Sequence, residues 1–570
     1  LKKGIDYKHL DIKDFNLEAE DLAYSTTTIS GSINNFRVKD KSGVDIQNLQ
    51  TDFFYGEKGA SLKKLYLKTP QTEIKDEIII GYASLDSISE NIGALEVKAS
   101  IDGSKIGFKD VLLFVPTLAD TNPFKSNPNA IVYINSEVSG KVSDISIPQL
   151  EIYGIGRTKV SASGRITGLP DAKTAYLDIN LKNFESSAKD LNDFVPKGTI
   201  PNNIQLPASF RAKGTFKGTL DNFRTDMNLA TSSGNAKVKA LFDSRRKNTE
   251  RYDAVASLDN FDLGRLLRND SIGRVSLNAK VKGTGLNPKT ANAVVDAKLI
   301  KAGFNGYTYK NLDLKGNIKG GNFKAVADMN DPNLTFDLDA EGGFGDKYPK
   351  AKVKLNVDIA DLDKLNLHAG PMKLKGNIDA DIETADVDYL NGTINATNIN
   401  IANAKEQFIL DTISIVATST AERNSMVVQS QFVKADVNGK YKLSQIATAL
   451  QNSIAKYYDT NPSAKKQTTE AQQVAFTIDV KSDPILMKLV PELKSLEPIN
   501  ISGRYNSVND TIVLNGRIPK VVYGTNTITN AVIDVNTEND SLVYNVVVDD
   551  IQSGKLRLPY TRISGGVNDN

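Results

Sequence analysis

The sequence predicts a mainly β protein of antiparallel strands, with a few short helices between them. Three observations carry this. Apolar and polar residues alternate singly along most of the chain, turn-forming residues recur between the alternating runs, and only one stretch has clear helical periodicity. In Arg274 to Gly283, for example, Val275, Leu277, Ala279 and Val281 fall on one side, and Ser276, Asn278, Lys280 and Lys282 on the other. Successive strand side chains point to opposite faces, so such a run is a strand with one apolar and one polar face.

The same alternation recurs along the chain. Phe210, Ala212, Gly214 and Phe216 oppose Arg211, Lys213, Thr215 and Lys217. Val353, Leu355, Val357 and Ile359 oppose Lys352, Lys354, Asn356 and Asp358. Met372, Leu374, Gly376, Ile378 and Ala380 form a further apolar set, as do Val474, Phe476, Ile478 and Val480, and Ile512, Leu514, Gly516 and Ile518. Turn signals such as Gly320-Gly321-Asn322, Asn330-Asp331-Pro332 and Glu538-Asn539-Asp540 separate strands. Short turns join antiparallel neighbours, so meanders are expected. At one strand per 10 to 13 residues, the chain is expected to hold about 40 strands.

Helical expectations are few. Leu443, Ile446, Ala447, Leu450, Ile454 and Tyr457 form an amphipathic stripe over 443–458, stopped by Asn461-Pro462 and followed by a polar, mobile loop over 463–473. Shorter helical turns are expected at 187–195, 262–267, 361–365 and 485–496. The chain reads as five sections: 1–120 and 121–260, both β; central β repeats over 261–440; helix and loop over 441–473; and β again over 474–570.

Composition bounds the function. The formal net charge of +2 lacks the basic bias of a nucleic-acid binder. Without cysteine there are no disulfides and no thiolate chemistry. No run of about 18 apolar residues marks a membrane helix, and no signal peptide is recognised. A chain that begins at Leu1 rather than Met is expected to be a processed product or a fragment, with anchors outside it.

Catalytic constellations are missing. The two histidines, His9 and His368, read as surface residues, so a Ser-His-Asp site has no evident base. Asp337, Asp339 and Glu341 imitate the start of a calcium loop, but they sit on an alternating strand with Tyr348 where the bidentate carboxylate belongs. Gly283 to Thr290 lacks the Gly-Lys pair of a phosphate loop, and Pro288 would break the helix that such loops open. No cofactor or metal is expected.

The open question is what covers so much apolar surface. Paired sheets could close into a row of filled sandwiches. Alternatively, one long sheet could curl into a trough whose apolar face stays partly open. Aromatic content of 7% without Trp, and small inward residues at Gly214, Gly218, Ala279, Gly376 and Ala380, suggest an uncrowded interior without deciding the matter. An open apolar stripe would suit acyl chains, since each buried methylene contributes about 0.8 kcal/mol.

Several phrases resemble AsmA-like proteins, particularly the TamB family of Bacteroidetes type. They are Leu258-Asp-Asn-Phe-Asp-Leu-Gly-Arg-Leu-Leu267 with Gly273 to Gly285, Ile359 to Leu365 with Leu374 to Ile378, and Thr28 to Phe36. The helix after Gly439-Lys-Tyr-Lys-Leu443 is also similar. The resemblance implies a curled β-sheet (a β-taco) with a lipid-lining groove, forming the middle segment of a bridge across the periplasm of a Gram-negative bacterium. It implies phospholipids as cargo, an outer-membrane barrel partner of TamA type, and an inner-membrane anchor outside this chain. What transfers is a surface rather than a catalytic residue. The candidate groove lining is Phe210, Ala212, Phe216, Val275, Leu277, Ala279, Val281, Val353, Leu355, Val357, Ile359, Leu374, Ile378, Val474, Phe476, Ile478, Ile512 and Leu514. An assembly factor for outer-membrane proteins, or a structural or adhesive surface protein, stays open beside it.

Overall fold

A computed structural model of the chain describes residues 10–194, 202–345, 347–457, 468–490, 492–538 and 541–568. His9, the Asn461-Pro462 stop, positions 463–467 of the polar segment and the turn residues Asn539 and Asp540 lie outside them. The described residues form a mainly β fold: an antiparallel sheet of 33 strands, open rather than closed into a barrel. Strands are fewer than the expected 40 or so because many run to 13 residues, as at Ile272–Thr284, Pro349–Asp361 and Met372–Thr384.

The chain divides into two units, Leu1–Leu286 with Val295–Tyr309, and Asn287–Val294 with Lys310–Asn570. The first holds β1 (Ile12–Tyr24), β2 (Thr28–Asp40), β3 (Asp45–Gly56), β4 (Gly59–Lys68), β5 (Glu73–Gly81), β6 (Glu96–Gly107), β7 (Ile131–Lys141), β8 (Asp144–Ile155), β9 (Thr158–Thr167), β10 (Tyr176–Ser187), β11 (Ser209–Gly218), β12 (Asn222–Thr231), β13 (Gly234–Asp243), β14 (Arg251–Asp262) and β15 (Ile272–Thr284). Each pairs with the next as a meander. β16 (Asn292–Phe304) falls across the division, as do the first three residues of the next strand, which belong to the first unit.

The second unit holds β17 (Tyr307–Lys319), β18 (Asn322–Asp331), β19 (Leu334–Phe344), β20 (Pro349–Asp361), β21 (Met372–Thr384), β22 (Asn391–Asn403), β23 (Gln407–Leu410), β24 (Ile413–Ser419), β25 (Asn424–Gln429), β26 (Val433–Lys440), β27 (Gln473–Val480), β28 (Leu493–Leu496), β29 (Ile499–Asn506), β30 (Thr511–Tyr523), β31 (Asn526–Glu538), β32 (Ser541–Ser553) and β33 (Leu556–Asn568). Two long strands are each paired by a broken partner. β22 takes β24 along one half and β23 along the other, and β30 takes β29 and β28 in the same way.

Bulges interrupt the ladders, and they line up. In β20 to β22 the register shifts near Asp358, Gly376 and Asn398. In β30 to β33 the register does not shift, but opposed residues drop out of the ladder at the corresponding place: Pro519 with Asn530, Asn530 with Asp549, and Asp549 with Tyr560. Asn398, Asn530 and Tyr560 have positive φ. A bulge bends its strand and sharpens its twist, so adjacent bulges crease a sheet along a line. Sequence alternation fails at the crease. Ile359, grouped with Val353, Leu355 and Val357 by spacing, instead pairs with Thr335, while Val357 pairs with Phe336. Ser276, expected on the polar side, is buried because its Oγ accepts the N–H of the bulged Asn260.

Glycines at Gly214 and Gly218 have a backbone cause rather than the roomy interior expected of them. Both have φ above +130°, and a Cβ would lie 1.9 Å from the Asp226 carbonyl oxygen and 2.1 Å from that of Asn222. Only glycine permits so close an approach there.

Six α-helices are described, besides two 3-10 turns: α1 (Ser87–Glu90), α2 (Phe108–Phe114), α3 (Ala188–Phe194), α4 (Leu263–Leu267), α5 (Leu443–Tyr457) and α6 (Pro484–Leu489). Of residues 361–365, expected to be helical, Asp361 ends β20 and the others form only turns. Of the stretch 485–496, the last four residues form β28, whose backbone pairs with Val521–Tyr523. At the start of α6, Asp483 Oδ1 accepts the N–H of Ile485 and Pro484 occupies the first turn. The buried side of α5 is rotated from the apolar stripe: Ala449, Ser453 and Tyr457 are buried, whereas Leu443 and Ala447 are exposed. Ser453 explains the rotation. Its Oγ donates to Asp510 Oδ1 at 2.6 Å and lies 2.9 Å from the Tyr505 hydroxyl. Lys456 pairs with the same Asp510. Ser453→Ala removes the hydroxyl between Tyr505 and Asp510, and is expected to cost about 1–3 kcal/mol, read as faster amide exchange in α5 and a lower urea midpoint. Unchanged exchange in α5 would refute this account of its docking.

Candidate hydrophobic groove

Register decides whether the apolar positions of separate strands meet. Residues directly opposed across an antiparallel ladder share a face. In the first unit one such row takes a residue from each of β1 to β15: Tyr24, Ile29, Tyr55, Ala60, Ile80, Val97, Gly140, Ile145, Ile166, Leu177, Gly218, Phe223, Phe242, Tyr252 and Gly283. No residue in it is ionisable other than through a tyrosine hydroxyl.

The second unit has two rows of the same kind. One runs Gly316, Ala325, Ala340, Val353, Ala380, Ile394, Ile415, Val428, Ala435, Ile478, Ile501, Gly516, Ile533, Val546 and Ile563. Beside it run Ile318, Phe323, Gly342, Ala351, Ile382, Gly392, Ala417, Met426, Val437, Phe476, Gly503, Leu514, Val535, Tyr544 and Gly565. A shorter third row, Leu314, Ala327, Leu338, Leu355, Ile378, Ala396 and Ile413, lies toward the crease.

Most of the expected lining falls into such rows. Val353 and Ile478 belong to the first long row of the second unit, Phe476 and Leu514 to the second, and Leu355 and Ile378 to the third. In the first unit Ala212, Leu229, Ala236, Leu258 and Leu277 face one another, as do Met227, Val238, Ala256 and Ala279. Phe216 and Val281 share a row with Thr225, Ala240 and Ala254, and Phe210 opposes Thr231. The remainder lie elsewhere. Val275 is buried opposite Phe261, and Leu374 packs against a buried cluster of Ile399, Ile401, Phe408 and Leu410 that α6 covers with Ile485 and Leu489. Val474 and Ile512 lie under α5, packed with Tyr441, Ala449 and Tyr505. That cluster also includes Val437, so α5 rests on the apolar face.

The rows are partly open. Val353, Leu355, Leu277, Val281, Ile415 and Ile478 are half-buried, not sealed as in the core of a filled sandwich. Valines on the polar face are more exposed, 45% at Val255 and 56% at Val326. The apolar face is therefore the more sheltered of the two. The polar face carries ion pairs such as Lys217–Asp178, Lys282–Asp253 and Lys352–Asp381.

No helix among the described residues is long and apolar enough to cross a membrane, and no cluster of His, Asp and Glu there could hold a metal ion. His368 is exposed in its turn, with Nδ1 against the Gly370 carbonyl. Asp337, Asp339 and Glu341 lie on β19, with Glu341 paired to Lys324. No protein-family model and no curated protein matches the chain.

One feature of the polar face titrates. Asp313, Asp328 and Asp337 are opposed across three strands. A hydrogen bond shared with Asp337, then desolvation and the charges of Asp337 and Asp313, holds the Asp328 carboxyl above the usual carboxylate range. The folded state keeps that proton to higher pH than the unfolded chain does. Stability therefore falls as pH rises from the ordinary Asp value through the raised one, and stays reduced above it. Asp328→Asn is expected to raise the thermal midpoint at pH 7 and to leave it unchanged near pH 3. A lower midpoint at pH 7 would contradict this.

Proposed function

We propose that the chain is a non-enzymatic lipid-transfer segment whose apolar rows carry acyl chains. The observation supporting this most strongly is the unbroken register of apolar residues over fifteen strands in each unit, half-exposed along most of its length. Isolated exposed apolar residues are ordinary, but a contiguous stripe marks a binding surface. A chain of about 14 methylenes, covered on one side only, would gain roughly 5–6 kcal/mol, half the fully buried value. A bilayer shelters the same methylenes completely. The groove would therefore hold a chain without trapping it, which suits passage better than storage.

The resemblance of several phrases to the TamB family supports a role in the Gram-negative cell envelope. The segment would bridge the periplasm, with phospholipids as cargo, an anchor in the inner membrane and a barrel partner of TamA type in the outer membrane. Nucleic acid has no part in this reading, since the near-neutral charge offers no basic surface bias.

Photocrosslinking residues installed singly test the reading. Probes at Leu277 or Leu355 are expected to capture phospholipid, and probes at the neighbouring outward positions Asn278 or Lys354 are not. Equal capture at both sets would reject it.

A further inference from the structure

Three segments converge at the strand ends just beyond the second long row of the second unit. Tyr348 precedes β20, Tyr389 precedes β22, and Lys442 precedes α5. The rings of Tyr348 and Tyr389 lie 5.0 Å apart. Lys347 Nζ stands 5.0 Å from the Tyr348 centroid and 5.3 Å from that of Tyr389, and Lys442 Nζ stands 5.5 Å from Tyr389. Two ammonium groups therefore approach one tyrosine ring.

The arrangement is braced. Asn424 Nδ2 donates to the carbonyls of Asp388 (3.1 Å) and Tyr441 (2.7 Å), tying the Tyr389 loop to the start of α5. The Asp388 carboxylate accepts from the N–H and Oγ of Ser444, and Gln472 Oε1 accepts the N–H of Lys442. Lys442 pairs with Glu470, whereas Lys347, exposed, has no carboxylate partner among the described residues. Tyr348 lies three residues before Ala351 and Tyr389 three before Gly392, both members of the apolar row. Asn424, which holds both loops, lies two residues before Met426 of the same row and so on its face.

We propose that Lys347, Lys442 and the hydroxyls of Tyr348 and Tyr389 form a phosphate-binding rim, which takes the headgroup phosphate of a lipid whose chain lies on the row. The lipid source rests on the function proposed above; the phosphate chemistry does not. The Lys442 ammonium would be shared between Glu470 and the incoming anion, and Lys347 would supply a charge that no described carboxylate pairs. Exposed ammonium–phosphate contacts are individually modest and weaken with salt.

Calorimetry on the full chain tests this with three probes: dihexanoyl phosphatidylglycerol, dihexanoylglycerol, which lacks phosphate, and inorganic phosphate. The variants are Lys347→Gln, an exposed change expected to leave the fold intact, and the double variant Lys347→Gln/Lys442→Gln. Phosphatidylglycerol binding is expected to weaken roughly three- to tenfold in the double variant, less in the single one, with dihexanoylglycerol binding unchanged. Equal binding of phosphatidylglycerol by wild type and variants, or equal loss for both lipids, overturns the rim. Inorganic phosphate bound as tightly as phosphatidylglycerol, and lost in the variants, overturns the lipid assignment. If neither lipid binds, the acyl-chain reading has failed, and the phosphate arm alone decides the rim.

Discussion

Strand register is the constraint on which the rest of this structure depends. A slip of one residue would turn every apolar side chain of a strand to the opposite face. The long rows would then break at that strand, and a lysine or aspartate would enter the apolar stripe. The row from Gly316 to Ile563 passes through fifteen strands without such a break. Short turns keep most neighbours in place, and polar partners on the other face, such as Lys324 with Glu341, reinforce the same pairing.

Bulges and short helices work around that constraint rather than against it. The creases lie to one side of the long rows, where Asp358, Gly376, Asn398, Pro519 and Asn530 interrupt pairing. Beyond the crease the face is closed by packing, as where α6 covers Ile399, Ile401 and Phe408. At the other margin α5 covers Val474, Tyr505 and Ile512. Between these covers the long rows stay half-exposed. The closed clusters thus lie toward strand ends, whereas along the rows burial is limited to scattered small residues such as Ala380 and Ala417.

Much of the fold was legible in the sequence because its two-residue period is strong and its turns are short. Val353 and Leu355 could be assigned to one face from spacing alone. What spacing could not reveal was the bulge at Asp358, which sends Ile359 to a pairing with Thr335. Nor does a strand's own alternation say which residue of the next strand it meets. Cross-strand rows, and the meeting of Lys347, Tyr348, Tyr389 and Lys442, exist only once register is set. The period of α5 marks the helix, and Ile446, Leu450 and Tyr457 of its apolar stripe do face inward, but Ser453 is buried beside them and Leu443 and Ala447 are exposed, because the site beneath holds Tyr505 and Asp510.

The absence of cysteine allows the central claim, an accessible apolar lane without a break, to be probed directly. Single cysteines at Val353, Ile415, Ile478 and Ile533 would carry a fluorophore, and a spin-labelled fatty acid would serve as quencher. The account predicts quenching at all four sites, and little at the outward neighbours Lys354, Val416, Asp479 and Asp534. Quenching confined to one or two of the four, or equal on both faces, would contradict a continuous lane.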